Sequence, residues 1–253
     1  MLNQNRKNNS GCKPYDVVMM FKIILLKRFY NLSDEQAEYY IIDRLSFQKF
    51  LGLSSGDRVP DARTIWFFQD NIIKKNLEEK LFERFHKYLD SLGLFVVNEG
   101  RIIDSTFVEV PRQRNIREEN EKIKSGGGEE LWKEEPQKKC QKDIEARWTR
   151  KRGEKFFGYK DHIKMDRRSK LIDRYEVTSA EVDDSQGVEK LVREEDKGRE
   201  LYGDSAYIGQ RVEELLKSKG IISQIIERRY RGKLLTEEQK ESNRKKIKDT
   251  LQG

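Results

Sequence analysis

Apolar side chains in the first part of the chain recur with a helical period. Val17, Met20, Ile24 and Leu25 lie at helical spacing among polar positions, and this spacing predicts an amphipathic helix. Further helices are predicted after a capping serine, from about residue 64 after a loop rich in glycine and serine, and over residues 77–92. We therefore expect residues 1–93 to form an all-helical domain.

From Leu94 onward the pattern changes to short apolar runs that are typical of strands. The predicted strands are LFVV and RIIDSTFVEV on either side of a turn, followed by KFFGYKDHIKMD, LIDRYEVTS, ELYGD and IISQII. Helices are predicted at residues 185–195, at residues 210–219 and after Thr236, which is a suitable capping residue. The second part of the chain thus mixes strands and helices.

The order of these elements predicts how the second part folds. From RIIDSTFVEV onward, three strands are followed by a helix, a strand, a helix, a strand and a terminal helical stretch, and right-handed connections can arrange this order on one mixed sheet. It is the order of the ribonuclease-H-like fold. We therefore expect an α+β protein with a ribonuclease-H-like mixed-sheet α/β domain over residues 94–253. A charged insertion at about 111–147 is expected to hold at most a short helix.

Composition narrows the class of protein. Charged residues make up 38% of the chain and hydrophobic residues 35%, and the longest apolar run, VVMMFKIILL, is well short of the roughly 20 residues that span a bilayer. No apolar segment typical of a signal peptide opens the chain, so we expect a cytoplasmic protein without a membrane partner. Two cysteines and two histidines support neither a disulfide framework nor a zinc site. The net charge of +7 favours a polyanionic partner.

Two aspartates come at comparable places on predicted strands. Asp104 follows the run RII, and Asp204 ends the run ELYG. In a ribonuclease-H-like sheet these strands are neighbours, so the two carboxylates would lie together. Repulsion between them is relieved by a hard divalent cation such as Mg²⁺, and paired ions about 3.5–4 Å apart support phosphoryl displacement. The alternative is that each aspartate only ends its strand as a turn or cap residue.

The segment RWTRKRGEKFFGYKDH interleaves basic and aromatic side chains. Cations suit phosphate neutralisation and aromatic rings suit base contacts, so this segment is a candidate DNA-binding surface. The alternative is that the aromatic rings pack in the sheet, that the cations form a solvated face, and that the histidine is structural. The candidate DNA contacts are Arg150, Lys151, Arg152, Lys155, Tyr159, Lys160 and His162.

Several of these motifs together resemble a known family. IIDSTFVEVPRQRN, DIEARWTRKRGEKFFGYKDHIKMD and LYGDSAYIG are similar in kind and order to the DDE transposases of bacterial insertion sequences, in the group related to insertion sequence five. The helical opening is similar to the N-terminal domain of the same enzymes. The resemblance implies that Asp104 and Asp204 are the first two acids of the catalytic and metal-binding triad, with Mg²⁺, or Mn²⁺ in its place.

The same resemblance implies a substrate and a reaction. The substrate would be double-stranded DNA, both the terminal inverted repeats of the element and the target. The reaction would be metal-dependent strand cleavage and transfer of the freed 3' hydroxyl. It further implies a nucleoid-associated protein when bound, and a homo-oligomer on DNA is one assembly compatible with it.

This sequence differs from the family pattern at the third acid. In the family a glutamate follows an asparagine-basic stretch like NRKK, in a segment of the type Arg-x-x-Val-Glu. Here the stretch at residues 243–246 continues as IKDTLQG, with Asp249 near the expected place but out of register. We expect a C-terminally truncated or frameshifted transposase that lacks its last catalytic helix and has lost activity with the third acid. The alternatives are a non-catalytic DNA-binding repressor or trans-inhibitor of transposition, and a ribonuclease-H-like nuclease without strand transfer.

Overall fold

A computed structural model of the chain describes residues 13–54, 56–95, 99–151, 153–229 and 234–251. The chain divides into two compact units, with the division between Tyr88 and Leu89. This division lies close to the predicted domain boundary at residue 93. The assignment of DNA binding to the first domain and of catalysis to the second stays a prediction.

The first unit is helical over its described residues. Its helices are α1 (Val17–Tyr30), α2 (Asp34–Asp43), α3 (Leu45–Leu51), α4 (Ala62–Lys74) and α5 (Glu78–Ser91), the last of which crosses the division between the units.

Local capping bonds explain where these helices begin. The Ser33 hydroxyl accepts the backbone N–H of Gln36 at 3.1 Å, and the Gln36 side chain accepts the backbone N–H of Ser33 at 2.9 Å. This is the reciprocal capping box that the sequence predicted. Asp61 caps α4 by accepting the backbone N–H of Thr64 at 2.7 Å. The buried faces of α1 to α4 then pack into one apolar cluster around Ile23.

The second unit alternates strands and helices as predicted. Its elements, in chain order, are β1 (Arg101–Glu109), α6 (Arg117–Lys124), α7 (Pro136–Lys139), β2 (Arg147–Lys151), β3 (Glu154–Asp166), β4 (Ile172–Ser179), α8 (Asp184–Leu191), β5 (Glu200–Gly203), α9 (Gln210–Ser218), β6 (Ile222–Ile225) and α10 (Glu237–Leu251).

The strands form one mixed sheet. Along it the order is β2-β3-β1-β5-β6, and β4 also pairs with β3. β1 is antiparallel to β3 and parallel to β5, and β5 is parallel to β6. This arrangement confirms the predicted α+β class and is consistent with a ribonuclease-H-like domain. The additional strand predicted at residues 94–97 falls partly on residues 96–97, which lie outside the described residues.

One face of this sheet carries the core of the second unit. Ile103 of β1 and Leu201 of β5 pack against Val188 and Leu191 of α8 and against Leu216 of α9. All five side chains are at most 2% exposed. Helices α8 and α9 therefore fix the positions of the central strands β1 and β5.

The charged insertion is more structured than predicted. Instead of at most one short helix it holds α6, a 3-10 turn and α7. Trp132 is buried and donates its indole N–H to Glu119 at 2.8 Å. Gln113 and Asp143 at the two ends of the insertion exchange hydrogen bonds of 2.7 and 2.8 Å. A buried tryptophan and these closing bonds supply the interactions that charge composition alone does not indicate.

The terminal helical stretch predicted after Thr236 is α10. Thr236 and Gln239 form its capping box through bonds of 3.0 and 3.2 Å. Asn243 ties the helix to the end of β6 by bonding both backbone groups of Glu227, at 2.9 and 3.0 Å. The predicted loss of a further catalytic segment stays a prediction. No helix within the described ranges is both long and apolar enough to cross a bilayer.

Candidate active site

The pairing of the central strands β1 and β5 runs towards the two predicted acids. In the parallel pair of β1 and β5, Arg101 lies opposite Leu201 and Ile102 opposite Tyr202. Continuing that register by two residues sets Asp104 beside Asp204. Both side chains are exposed, Asp104 at the fourth position of β1 and Asp204 directly after β5. The carboxylates of Asp104 and Asp204 both act on the hydroxyl of Tyr207, in keeping with this register, and their pairing as a site stays a prediction.

Backbone amides orient both carboxylates. Oδ1 of Asp104 accepts the backbone N–H of Ser105 at 2.8 Å, and Oδ1 of Asp204 accepts the backbone N–H of Ala206 at 2.8 Å. The second bond caps a 3-10 turn over residues 205–207. Asp204 is therefore also a cap residue, which is the alternative role that the sequence allowed. Capping through Oδ1 is compatible with metal binding through the other oxygen.

The donor set fits a hard divalent cation in part. Two exposed carboxylates, one on β1 and one directly after β5, are oxygen ligands of the kind that Mg²⁺ prefers, and Mg²⁺ commonly binds through only one or two carboxylates. Across the described ranges, no cluster of three acidic, histidine or cysteine side chains has the geometry of a metal site. Asp249 of α10 acts on the hydroxyl of Tyr202 instead. Among the described residues, no third acid joins Asp104 and Asp204 in such a cluster.

Sequence reasoning missed three polar residues next to this pair. Tyr207 is buried in the turn that follows Asp204, and the carboxylates of Asp104 and Asp204 both act on its hydroxyl. Ser105 follows Asp104 on β1, and Asp184 opens α8. The sequence signal for Asp184 was only that of an acidic residue at a helix start, which is ordinary capping chemistry. The signal for Tyr207 was that of an aromatic residue in a turn.

Part of the basic and aromatic segment faces solvent on the hairpin of β2 and β3. Arg150, Lys151 and Lys155 are exposed, and the neighbouring indole of Trp148 is 48% exposed. Arg152 lies outside the described residues. Exposed cations beside an exposed indole retain the features of a nucleic-acid contact surface.

The aromatic rings of this hairpin divide between two roles. Phe157 is buried, whereas Phe156 stacks on Phe107 of β1 with ring centroids 4.5 Å apart. The ammonium of Lys151 lies 5.4 Å from the centre of the Phe107 ring, within cation–π range. This stacked pair therefore joins the hairpin to the strand that carries Asp104.

The other three candidate contacts are turned away from solvent. The Tyr159 hydroxyl donates to Asp143 at 2.8 Å, and burial raises the pKa of this phenol, with the Asp143 contact adding to the effect. Lys160 is buried with its ammonium 2.8 Å from Oδ1 of Asp184. His162 is completely buried, with Nε2 2.9 Å from the hydroxyl of Thr178.

Strand alternation explains the burial of these polar side chains. Every second residue of β3 from position 160 to 166 faces the sheet side that α8 packs against, and all of them are buried. The sequence indicated correctly that His162 shares a face with Lys160 and Lys164. It did not indicate that this face is covered. A direct contact of His162 or Lys160 with DNA would require α8 to move.

Comparison with known proteins supports the architecture of both units. Residues 2–71 match a family model described as a transposase domain (DUF772). Residues 97–252 match a family model described as a transposase DDE domain. The second match covers more than half of the chain and includes Asp104 and Asp204. No solved structure matches this chain.

Proposed function

Because this chain belongs to the family of transposase DDE domains, we propose that it binds double-stranded DNA at the ends of its own element and at a target, with Asp104 and Asp204 as the catalytic metal ligands. The observation that supports the proposal is the parallel pairing of β1 and β5, whose register runs towards Asp104 and Asp204. On the motif order, we place the chain in the group related to insertion sequence five.

Each part of the chain has a separate task in this proposal. The helical N-terminal domain recognises the terminal inverted repeats. The exposed cations Arg150, Lys151 and Lys155 neutralise phosphates beside the acid pair, and the indole of Trp148 contacts bases at the DNA end. When bound at the carboxylates, Mg²⁺ or Mn²⁺ would supply the positive charge that activates the attacking oxygen and stabilises the leaving oxygen.

A second candidate function is favoured by the number of carboxylates. The proposed site has two protein carboxylates, and such a site anchors paired ions less completely than a site with three. The chain would then bind DNA without cutting it efficiently, as a repressor or a trans-inhibitor of a complete transposase. Both functions share the DNA-binding surface, and they differ in whether strand cleavage follows binding.

Mn²⁺ titration of the full chain tests the shared metal site. Asp104→Asn and Asp204→Asn each remove one negative charge while keeping the side-chain shape, so each variant should bind Mn²⁺ much more weakly. Glu109→Gln is the matched control, because Glu109 is an exposed acid at the far end of the same strand. Equal Mn²⁺ affinity in all four proteins would return the two aspartates to a capping role only.

Cleavage of a labelled duplex that carries the element's terminal repeat then separates the two candidate functions. Asp104-dependent nicking in the presence of Mg²⁺ supports an active transposase. Binding that prefers the terminal repeat, without nicking, supports the repressor or trans-inhibitor. Nicking without joining of the 3' end to a second duplex supports a nuclease without strand transfer.

A further inference from the structure

A buried ion pair lies next to the proposed catalytic acids. The side chains of Asp184 and Lys160 are 10% and 8% exposed, and Nζ of Lys160 lies 2.8 Å from Oδ1 of Asp184. Lys160 also donates to the carbonyl oxygen of Val182 at 2.5 Å. Burial alone would raise the pKa of Asp184, but hydrogen bonds from Lys160 and Ser105, with the charges of Lys160 and Lys151, lower it below its usual range. Asp184 is therefore ionised and held in place.

A second buried polar group faces the same place. Tyr207 is 1% exposed, and its hydroxyl has no hydrogen-bond partner of good geometry within the described residues. Burial raises the pKa of the Tyr207 phenol, and the carboxylates of Asp184, Asp104 and Asp204 contribute in the same direction. The hydroxyl of Tyr207 therefore lies within the field of all three acids.

Ser105 connects the ion pair to both proposed catalytic acids. Its hydroxyl interacts with the carboxylate of Asp184 and with the hydroxyl of Tyr207. Its backbone N–H orients Asp104. Tyr207 in turn ends the short 3-10 turn that Asp204 caps. One carboxylate on α8 thus reaches the peptide that holds the first acid and the turn that holds the second.

We propose that Asp184 is a positioning residue for the reaction proposed above, because its carboxylate, acting through Ser105 and Tyr207, fixes the orientation of Asp104 and Asp204. Asp184 is not assigned as a metal ligand, because the ammonium of Lys160 already neutralises its carboxylate. The inference rests on the proposed function of the acid pair. Its chemical basis is general, since partners of metal ligands fix the orientation of those ligands and tune their affinity.

Mn²⁺ affinity of the full chain is the first test. Asp184→Asn and Tyr207→Phe remove, respectively, the charge and the hydroxyl at nearly constant volume. Each variant should weaken Mn²⁺ binding by about 10- to 100-fold, which is the usual effect of losing a partner of a metal ligand. The matched control is Asp183→Asn, because this substitution removes the same charge at the preceding, exposed position. Its Mn²⁺ affinity should equal that of the wild type.

Coupling between the two variants distinguishes positioning from separate effects. If both act through Ser105, the double variant Asp184→Asn/Tyr207→Phe should weaken Mn²⁺ binding no further than the weaker-binding single variant. A merely structural role predicts a lower free energy of unfolding with unchanged Mn²⁺ affinity per folded molecule, and that result would overturn the proposal. Fully additive losses in the double variant would overturn it as well.

Amide exchange provides a readout that does not depend on metal. The backbone N–H groups of Ser105 and Ala206 bond to the two catalytic carboxylates, and their exchange with water, measured by NMR, should accelerate in Asp184→Asn and stay unchanged in Asp183→Asn. A wild-type chain without Mn²⁺ affinity would contradict the proposed function, and the exchange rates would still decide the positioning role. Unchanged exchange at both amides in Asp184→Asn would overturn the inference in either case.

Discussion

Gly187 of α8 lies directly against the imidazole of His162 on β3. A Cβ atom at Gly187 would come 2.6 Å from Nδ1 and 2.7 Å from Cγ of that ring. Only a residue without a side chain lets the helix approach the sheet this closely. The contact sets the depth at which α8 covers β3, and with it the place of Asp184 at the start of the same helix.

Gly187→Ala should therefore destabilise the protein even though alanine is the better helix former. Alanine gains about 1 kcal/mol in helix propensity, whereas overpacking of a filled core typically costs about 1–3 kcal/mol. We expect a net loss in the free energy of unfolding, measured by urea denaturation. Gln186→Ala, at an exposed position of the same helix, should change it by less than about 0.5 kcal/mol. Equal effects of the two substitutions would contradict this account of the contact.

The buried imidazole should make stability depend on pH. Burial lowers the pKa of His162, the charge of Lys160 lowers it further, and Asp184 and Glu176 oppose this effect only in part. The unfolded chain therefore takes up a proton near the ordinary value of about 6.5 while the folded chain does not. The stabilisation is complete above about pH 6.5 and is lost as the pH falls from there towards the lowered folded pKa, by at most about 1.4 kcal/mol per pH unit.

Urea denaturation of the wild type and of His162→Gln at a series of pH values checks this dependence. The glutamine variant should lose less stability than the wild type between about pH 7 and about pH 5.5. Gln186→Ala, at an exposed position of α8, serves as the control, because it removes no titratable group, and it should retain the pH dependence of the wild type. A His162→Gln profile parallel to that of the wild type would assign the pH dependence to other groups.

Removing one partner of a buried ion pair elsewhere in the sheet should strongly lower the free energy of unfolding. Nζ of Lys164 lies 2.6 Å from Asp196 and 2.9 Å from Asp173, with side-chain exposures of 2%, 3% and 20%. Lys164→Met leaves the largely buried Asp196 without this partner, and removal of one member of a buried pair typically costs about 3–5 kcal/mol. Lys190→Met, which breaks an exposed ion pair with Glu176, should cost less than about 1 kcal/mol. Similar unfolding midpoints for both variants would contradict the burial argument.

Local chemistry explains what could be predicted from the sequence. The helix starts at Ser33, Asp61 and Thr236 depend on residues three positions apart, and such pairs are visible in the sequence itself. The pairing of β1 with β5 could be predicted because the order of elements constrains which strands become neighbours. Both kinds of inference use information that lies within one element or in the succession of elements.

Long-range packing explains what could not be predicted. Alternation on β3 indicates that Lys160, His162 and Lys164 share a face, but it carries no information about which helix covers that face. Charged residues are normally exposed, so the burial of Lys160 depends on its partner Asp184, which lies more than twenty residues further along the chain. Tyr207 gains its place from β1 and α8, and no short motif records such contacts.

The exposed cations of the hairpin should account for part of the salt dependence of DNA binding. Each phosphate contact contributes about 0.9 to the slope of log affinity against log salt on duplex DNA. Removal of Arg150, Lys151 and Lys155 together, by substitution with glutamine, should lower the slope by up to about 2.7, measured between about 50 and about 200 mM salt. Affinity should fall for every duplex sequence, because phosphate contacts carry no sequence information.

The control for this experiment is an exposed lysine away from the hairpin. Lys133 lies in the insertion, and its side chain is 63% exposed, so Lys133→Gln removes one charge without touching the proposed surface. Its salt slope should equal that of the wild type. If Lys133→Gln lowers the slope by as much as one third of the decrease in the triple variant, affinity follows net charge and the hairpin is not a specific contact surface. If the triple variant keeps the full slope, the phosphate contacts belong to other cations. Substitution of cations in the N-terminal helices should then lower the salt slope.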